Sequence, residues 1–291
     1  MSNNSGKCKI IKFTPTEHVS ETLEEFAQNF FEVVTTDYLD NGQEQLVGYM
    51  PQNFSEKDLY SAAKDANISL PPFQIETISS QDWLTENVIE FSPVEVADFL
   101  VYGIHEKQIN LQDKIGIKVY AATAFGSEHQ TTKNCLRAIA EIHRQMPTCH
   151  KILDVGTGSG ILAIAAAKLW PTSSVVAVDI DEESVVVAEQ NSVDNQVDRQ
   201  IKTALSDGYQ SEIVANNAPY DLIFANILAR PLIAMAEDMA KNLRSGGYAV
   251  ISGFITDQID WVINEHEKYG LKLKKLYQED NWYAALLEKK L

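Results

Sequence analysis

The sequence predicts an α/β protein: a doubly wound, mostly parallel sheet preceded by a small N-terminal α+β domain. Three observations carry this. Lys151-Ile-Leu-Asp154-Val-Gly156-Thr-Gly158-Ser-Gly160 runs straight into the apolar helical pattern Ile161–Leu169, which reads as a buried strand, a glycine turn and a helix opening. Ser174–Asp179 reads as a second strand that ends in an acid. From Lys151 onward strands and helices alternate, the pattern of a parallel sheet covered on both faces.

The N-terminal third reads strand, helix, strand, strand, helix, strand. Cys8–Phe13 is the first strand, and Thr14-Pro-Thr16 opens a helix in which Val19, Leu23, Phe26 and Phe30 recur at helical spacing. Glu32–Thr36 and Gln45–Met50 form a strand pair joined around Asn41-Gly42. Asn53 or Ser55 caps a second helix with Leu59, Ala62, Ala63 and Ala66 on one face, and Phe73–Ile78 is the fourth strand. That order fits a ferredoxin-like sandwich, whose usual use is binding. Residues 1–79 are therefore expected as one domain. Residues 80–130, with Gln81-Asp82-Trp83-Leu84 and the apolar run Ala97–Ile104, are expected as a linker and extended segment, and 131–291 as the main domain.

In the main domain Thr131–His143 is a helix ahead of the sheet. Strands are expected at 151–155, 174–179, 200–204, 220–226 and 247–252, with helices near 159–169, 182–195, 229–243 and 256–268. Leu271–Tyr277 and Tyr283–Glu288 form a closing strand pair around Gln278–Asn281, a departure from a plain dinucleotide fold.

Composition narrows the class. At 291 residues, 45% hydrophobic and 22% charged, the chain is a soluble globular protein large enough for two domains. No run approaches the ~20 apolar residues of a membrane span, and the first twenty residues are polar and mixed, so no signal peptide is expected. Cys8, Cys135 and Cys149 lack metal or redox spacing and read as reduced thiols in a cytoplasm, with no metal site. Net charge is −17, and residues 1–110 hold 18 acids against 6 bases, or −12. Such a segment repels phosphate backbones, which argues against direct nucleic-acid binding. It attracts a basic protein, although solubility alone also accounts for acidity. Monomer is the default state.

The residues that carry chemistry cluster at strand ends. Gly156, Gly158 and Gly160 do not follow G-x-G-x-x-G, since position 161 is Ile, which disfavours a nicotinamide cofactor. Asp154 ends the strand before the turn, where it can brace the loop or meet a cationic ligand. Asp179 lies 23 residues after Gly156, where an acid accepts ribose hydroxyls. Asp181 in Asp179-Ile-Asp181-Glu-Glu183 is a helix cap or a second ligand. Asn226 ends the strand Tyr220–Asn226 and faces the crevice beyond the carboxyl ends of parallel strands. No aromatic follows it to stack on a planar acceptor.

Asp-x-Gly-x-Gly-x-Gly with an acid-ended second strand resembles the S-adenosylmethionine-dependent methyltransferases. Ala124-Phe125-Gly126-Ser-Glu-His129-Gln-Thr131-Thr132, Asp154–Gly160, Asp179-Ile-Asp181 and Asn226-Ile-Leu-Ala229 are similar to the ribosomal protein L-eleven methyltransferase (PrmA) family. Asp82-Trp83, Pro93, Ser252-Gly253 and Trp282 extend that resemblance over nearly the whole chain. It implies a seven-stranded methyltransferase sheet, a ferredoxin-like domain that grips the ribosomal protein, and S-adenosyl-L-methionine as cofactor. It places cofactor contacts on Thr132, Gly156, Asp179 and Asn226, and Asp154 and Gly158 join them as part of the loop. The chain departs from the family in having Thr157 where Cys is usual, and in a Gly126–Thr132 stretch one residue shorter with Glu128 in place of a glycine. His129 is a ligand contact or a solvated loop residue.

The activity implied is methyl transfer to lysine ε-amino and/or N-terminal α-amino groups of that large-subunit ribosomal protein. The alternatives are a lysine methyltransferase of another protein and an inactive cofactor-binding assembly factor. Transfer from an activated sulfonium needs alignment more than acid–base power, so Asn226 is expected to accept amine hydrogens and aim the lone pair.

Overall fold

A computed structural model describes residues 7–14, 16, 18–31, 33–38, 42–51, 54–66, 68–79, 91–106, 108–120 and 130–290. Asn41, Asn53, Asp82-Trp83 and the stretch Ala124–His129 lie outside the described residues. The chain divides into two compact units, residues 1–87 and 88–291.

The smaller unit runs β1 (Lys7–Phe13), α1 (Glu21–Phe30), β2 (Val33–Tyr38), β3 (Glu44–Pro51), α2 (Glu56–Asp65) and β4 (Phe73–Ser79). Its sheet has the order β2-β3-β1-β4 with every neighbouring pair antiparallel, the split arrangement expected of a ferredoxin-like unit. Leu23, Phe26 and Ala27 of α1 and Leu59 and Ala63 of α2 join Ile11, Phe13 and Leu46 in one core, so both helices cover the same face. Helix α1 begins later than Thr14-Pro-Thr16 promised. Thr16 instead exchanges two backbone hydrogen bonds with Glu44, at 2.9 and 2.7 Å, which holds the chain extended. The cap passes to Ser20, whose side chain accepts from the Leu23 N–H. Ser55 caps α2 by accepting from the Lys57 N–H.

The larger unit opens with β5 (Val94–Val96), β6 (Phe99–Gly103) and β7 (Ile115–Val119), a three-stranded sheet in that order. The stretch expected as a linker thus supplies Val96, Phe99, Val101, Ile117 and Val119 to the main core. Helix α3 (Gln130–Gln145) follows, then β8 (Lys151–Val155), α4 (Ile161–Leu169), β9 (Ser174–Asp179), α5 (Glu182–Asp194) and β10 (Ile201–Leu205). After these come α6 (Glu212–Asn217), β11 (Tyr220–Asn226), α7 (Ala229–Ala234), α8 (Ala236–Asn242), β12 (Leu243–Ile255), α9 (Ile259–Lys268), β13 (Leu271–Glu279) and β14 (Trp282–Lys289).

These strands form a seven-stranded sheet, β10-β9-β8-β11-β12-β14-β13. It is parallel as far as β12, and β14 runs against both its neighbours. Alternate residues feed two core layers: Ile152, Val175, Leu222 and Phe224 on one face, and Leu153, Val176, Ile223 and Ala225 on the other. Each fully buried aliphatic or phenyl side chain contributes roughly 1.5–3 kcal/mol. The expected helix 229–243 is two short helices broken at Met235, whose φ −99° and ψ 4° turn the chain. Among the described residues no helix is long and apolar enough to cross a membrane.

The strand order reverses at β8. Chain leaving β8 passes first to β9 on one side, and β11 fills the other side later. The carboxyl ends of β8, β9 and β11 therefore open onto a switch-point crevice, the usual ligand position in such sheets.

Candidate active site

The crevice holds a cavity of about 820 Å³, within the range of pockets that enclose a drug-sized ligand. Its wall includes Thr131 and Thr132 from α3, Gly156 and Gly158 after β8, Asp179 and Ile180 at the end of β9, and Asn226 at the end of β11. Five of the six residues singled out from the sequence (Thr132, Gly156, Gly158, Asp179 and Asn226) thus meet in one space.

The glycine turn is shaped by its neighbours. Gly156, Gly158 and Gly160 all have positive φ, at 69°, 53° and 82°. The N–H groups of Gly156 and Thr157 donate to the Val178 carbonyl at 2.8 and 3.0 Å, which anchors the turn to β9. A Cβ on Gly156 would stand 2.3 Å from Ile227 Cγ2, so only glycine fits there. Gly253, at φ 100°, presses on Ile227 from the other side, and a Cβ there would lie 1.9 Å from the Ile227 carbonyl oxygen. Ile227 immediately follows Asn226, so both glycines allow close approach beside that asparagine.

Asp154 corrects one expectation. It does not line the cavity: it is 1% exposed and lies beneath the turn. One oxygen accepts from Thr157 Oγ1 at 2.7 Å and from the Ala163 N–H at 3.2 Å, and the other is buried with no hydrogen-bond partner among the described residues. Asp154 braces the loop and the first turn of α4 from beneath. Burial, with two hydrogen bonds opposing it, pushes its carboxyl up to about 7. Thr157 supplies the hydroxyl for that brace.

Asp179 holds the far side of the turn. Its two oxygens accept from the Gly158 N–H at 2.8 Å and the Asp181 N–H at 3.1 Å, and a carboxylate keeps further lone pairs for ligand hydroxyls. Asp181 is a cap: its carboxylate accepts from the Glu183 and Ser184 N–H groups and from Ser184 Oγ.

Asn226 is half-buried and its Nδ2 donates to Thr132 Oγ1 at 3.3 Å. Trp282, at the start of β14, closes the same wall. A polar clip ties it to α3: Asn134 Nδ2 donates to the Trp282 carbonyl at 3.0 Å, Gln130 to Asp280 at 3.1 Å, and Lys133 and Arg137 pair with Glu279. Cys135 lies on the buried face of this helix, where burial pushes its thiol up to about 12 and keeps it protonated.

Other lining residues escaped the sequence reading. Ser206, Asp207 and Gly208 follow β10, and the strand-end rule that singled out Asp179 and Asn226 applies to them equally. Ile180 and Leu228, 70% and 63% exposed, are large apolar residues at strand ends, a signal visible only with the strands placed. Met235 had none, because it enters through the break between α7 and α8. His129 lies outside the described residues.

The site fits a nucleoside carrying an amino-acid tail. It offers an acid beside a bare glycine backbone, and apart from its chain neighbours no described residue comes within 4 Å of the place of a Cβ on Gly158. Apolar Ile180 at the mouth offers a flat base a surface.

Comparison with known proteins points the same way. Residues 11–290 match the family model described as ribosomal protein L11 methyltransferase (PrmA). The chain is 36% identical over 230 residues to a ribosomal protein L11 methyltransferase of Brucella suis, covering 78% of this chain and 80% of that protein. It is 34% identical over 234 residues to one of Rhizobium meliloti, covering 80% of each. The crystal structure of a ribosomal protein L11 methylase from Lactobacillus delbrueckii subsp. bulgaricus superposes with TM-score 0.59 at 28% identity, covering 69% of this chain and all of that one. With the cavity at the switch point and the match running almost end to end, the chain belongs to the ribosomal protein L11 methyltransferase (PrmA) family of S-adenosylmethionine-dependent methyltransferases.

Proposed function

We propose that this methyltransferase modifies amines of ribosomal protein L11, lysine ε-amino and/or N-terminal α-amino groups, with Asn226 holding the acceptor. The observation that carries the reading is the bond from Asn226 Nδ2 to Thr132 Oγ1. It engages one amide hydrogen with the protein, which supports a reading in which the amide carbonyl is left for the ligand.

S-adenosylmethionine, when bound, supplies a methyl group on a sulfonium, already activated for transfer. What the protein adds is alignment. The acceptor must be neutral, and reference pKa values of about 7.7–8.0 for an α-amine and about 10.4 for lysine set the problem. Ile227, Leu228, Pro231 and Met235 give the cavity an apolar wall, which desolvates an amine and lowers its pKa. Asn226 Oδ1 then accepts an amine N–H and aims the lone pair into the cavity. Asp179 accepts ribose hydroxyls, Gly156 and Gly158 present bare backbone to the amino-acid end, and Thr132 completes the cofactor wall.

The N-terminal unit is the proposed grip for L11. Residues 1–87 hold 14 acids against 5 bases, or −9 of the −12 found over residues 1–110, which suits a basic protein and repels phosphate. Action as a monomer in the cytoplasm, without direct nucleic-acid contact, completes the reading. The test is mass spectrometry of purified L11 after incubation with the protein and S-adenosylmethionine. Mass gained in methyl steps on L11 amines is expected. Methylation of another protein's lysines but not of L11 overturns the substrate. Cofactor binding without transfer to any protein overturns the activity.

A further inference from the structure

Asn191 in the last turn of α5 and Asn195 at its C-cap stand one turn apart, and both turn toward β7. Asn195 Oδ1 accepts from the Lys118 N–H at 3.0 Å and its Nδ2 donates to the Lys118 carbonyl at 2.5 Å. Asn191 Oδ1 accepts from the Tyr120 N–H at 2.7 Å and its Nδ2 donates to the Tyr120 carbonyl at 3.2 Å. Among the described residues β7 is an outer strand of its sheet, so one edge presents N–H and C=O groups that no described strand pairs. A side-chain amide offers an acceptor and donors together. The two asparagines therefore complete that edge as a neighbouring strand would.

Asn191 does one thing that Asn195 does not. Its Nδ2 also donates to the carbonyl of Ser159 at 2.8 Å, inside the glycine turn between β8 and α4. Ala188, almost a turn earlier on the same helix, packs on Gly160. Asn191 is 0% exposed, and its three bonds engage both amide hydrogens and the carbonyl oxygen. One side chain thus joins the turn that carries Gly156 and Gly158 to the end of β7, the last strand before α3 with its Thr131 and Thr132.

We infer that Asn191 is a positioning residue of the cofactor site: it holds the glycine turn through the Ser159 carbonyl, at the height where its backbone meets the ligand. The inference rests on the reading of this cavity as the S-adenosylmethionine site. A merely structural asparagine would affect folding alone, and Asn195 provides the comparison. Asn191→Ala and Asn195→Ala each remove one strand-like pairing, and both lower the melting temperature. Only Asn191→Ala releases Ser159.

The experiment is amide hydrogen exchange across residues 156–164, with calorimetric binding of S-adenosylhomocysteine, on the full chain of each variant. Exchange in the glycine turn is expected to quicken in Asn191→Ala and to match wild type in Asn195→Ala. The dissociation constant is expected to rise about tenfold in the first and to stay within about twofold in the second. Unchanged exchange in Asn191→Ala, or an equal rise in both variants, overturns the positioning role. Wild-type protein that does not bind S-adenosylhomocysteine overturns the cofactor reading, while the exchange comparison still decides whether Asn191 holds the turn. If Asn191→Ala does not fold, Asn191→Ser against Asn195→Ser makes the same comparison.

Discussion

The amide nitrogen of Asn226 donates to the hydroxyl of Thr132 at 3.3 Å, joining the end of β11 to the first turn of α3 across 94 residues of sequence. The bond is long, so its contribution is direction more than strength. It favours the orientation in which the amide oxygen is left to accept from a ligand.

Asn226→Ala should therefore lower kcat on the order of a hundredfold while the cofactor still binds, because the acceptor loses its aim. Thr132→Val keeps the shape and removes the hydroxyl, so it should cost about tenfold in kcat, with Thr132→Ser recovering most of it. The double variant Asn226→Ala/Thr132→Val should be no slower than Asn226→Ala, since both act on one interaction. Steady-state kinetics with L11 checks this, and full turnover in Asn226→Ala removes Asn226 from the mechanism.

Asp179 receives two backbone N–H groups, from Gly158 and Asp181, so it both shapes the turn and offers lone pairs to a ligand. Asp179→Ala should weaken S-adenosylhomocysteine binding between about tenfold and a hundredfold, the range for hydrogen bonds to a charged group. Asp179→Asn, which keeps one acceptor, should fall between. Calorimetry measures both, and unaltered affinity in Asp179→Ala overturns the ribose assignment.

Asp154 makes stability depend on pH in a definite direction. Burial raises its folded carboxyl from 3.8 to about 7, so between those values the folded state holds a proton that the unfolded chain has released. Stability then falls as pH rises through that window, by about 1.4 kcal/mol per pH unit, and levels off above it. Asp154→Asn can keep an oxygen toward Thr157 and Ala163 while it removes the titration. Melting curves from pH 4 to 8 should show this slope in wild type and its loss in Asp154→Asn; identical pH profiles contradict it.

Sequence signals served well where one residue type and one local rule sufficed. The strand–turn–helix at 151–169, the acid closing β9 and the asparagine closing β11 stand where periodicity and the strand-end rule put them. Contacts from outside the local window were harder to read. Thr16 looks like a helix start until Glu44, far along the chain, pairs with it. Gly246 and Gly247 mask the early part of β12, which runs from Leu243 rather than 247 because its ladder with β11 tolerates a register shift. Asp154 reads equally as a loop brace or a ligand contact, because its depth beneath the turn depends on how α4 packs. Asn191 looks like any polar helix residue, since its partners Tyr120 and Ser159 are 71 and 32 residues away.

The −12 charge of residues 1–110 predicts how salt affects capture of a basic L11. Raising ionic strength from about 0.01 M to about 0.15 M shortens the screening length from about 30 Å to about 8 Å. The association rate should fall roughly tenfold over that range, with kcat at saturating L11 unchanged. Stopped-flow binding at several salt concentrations tests it, and a rate indifferent to salt would remove the charge from substrate capture.

Gly156 and Gly253 press on Ile227 from two sides, and the atoms they meet differ. A Cβ at Gly156 meets the side-chain Cγ2 at 2.3 Å, whereas one at Gly253 meets the backbone carbonyl oxygen at 1.9 Å. Each alanine also pays for a positive φ, roughly 1–2 kcal/mol, and each displaces Asn226 through its neighbour. Gly156→Ala and Gly253→Ala should both lose turnover on the order of a hundredfold, since small displacements of aligned groups cost that much. Removing the offending side chain separates them. Ile227→Ala in the Gly156→Ala background opens the space that the new methyl needs and should restore part of the activity, whereas the same change beside Gly253→Ala leaves the backbone clash in place and should restore none. Turnover and melting temperature of the two double variants decide it. Equal rescue in both, or rescue in neither, would mean that Ile227 is not what holds Asn226 in position.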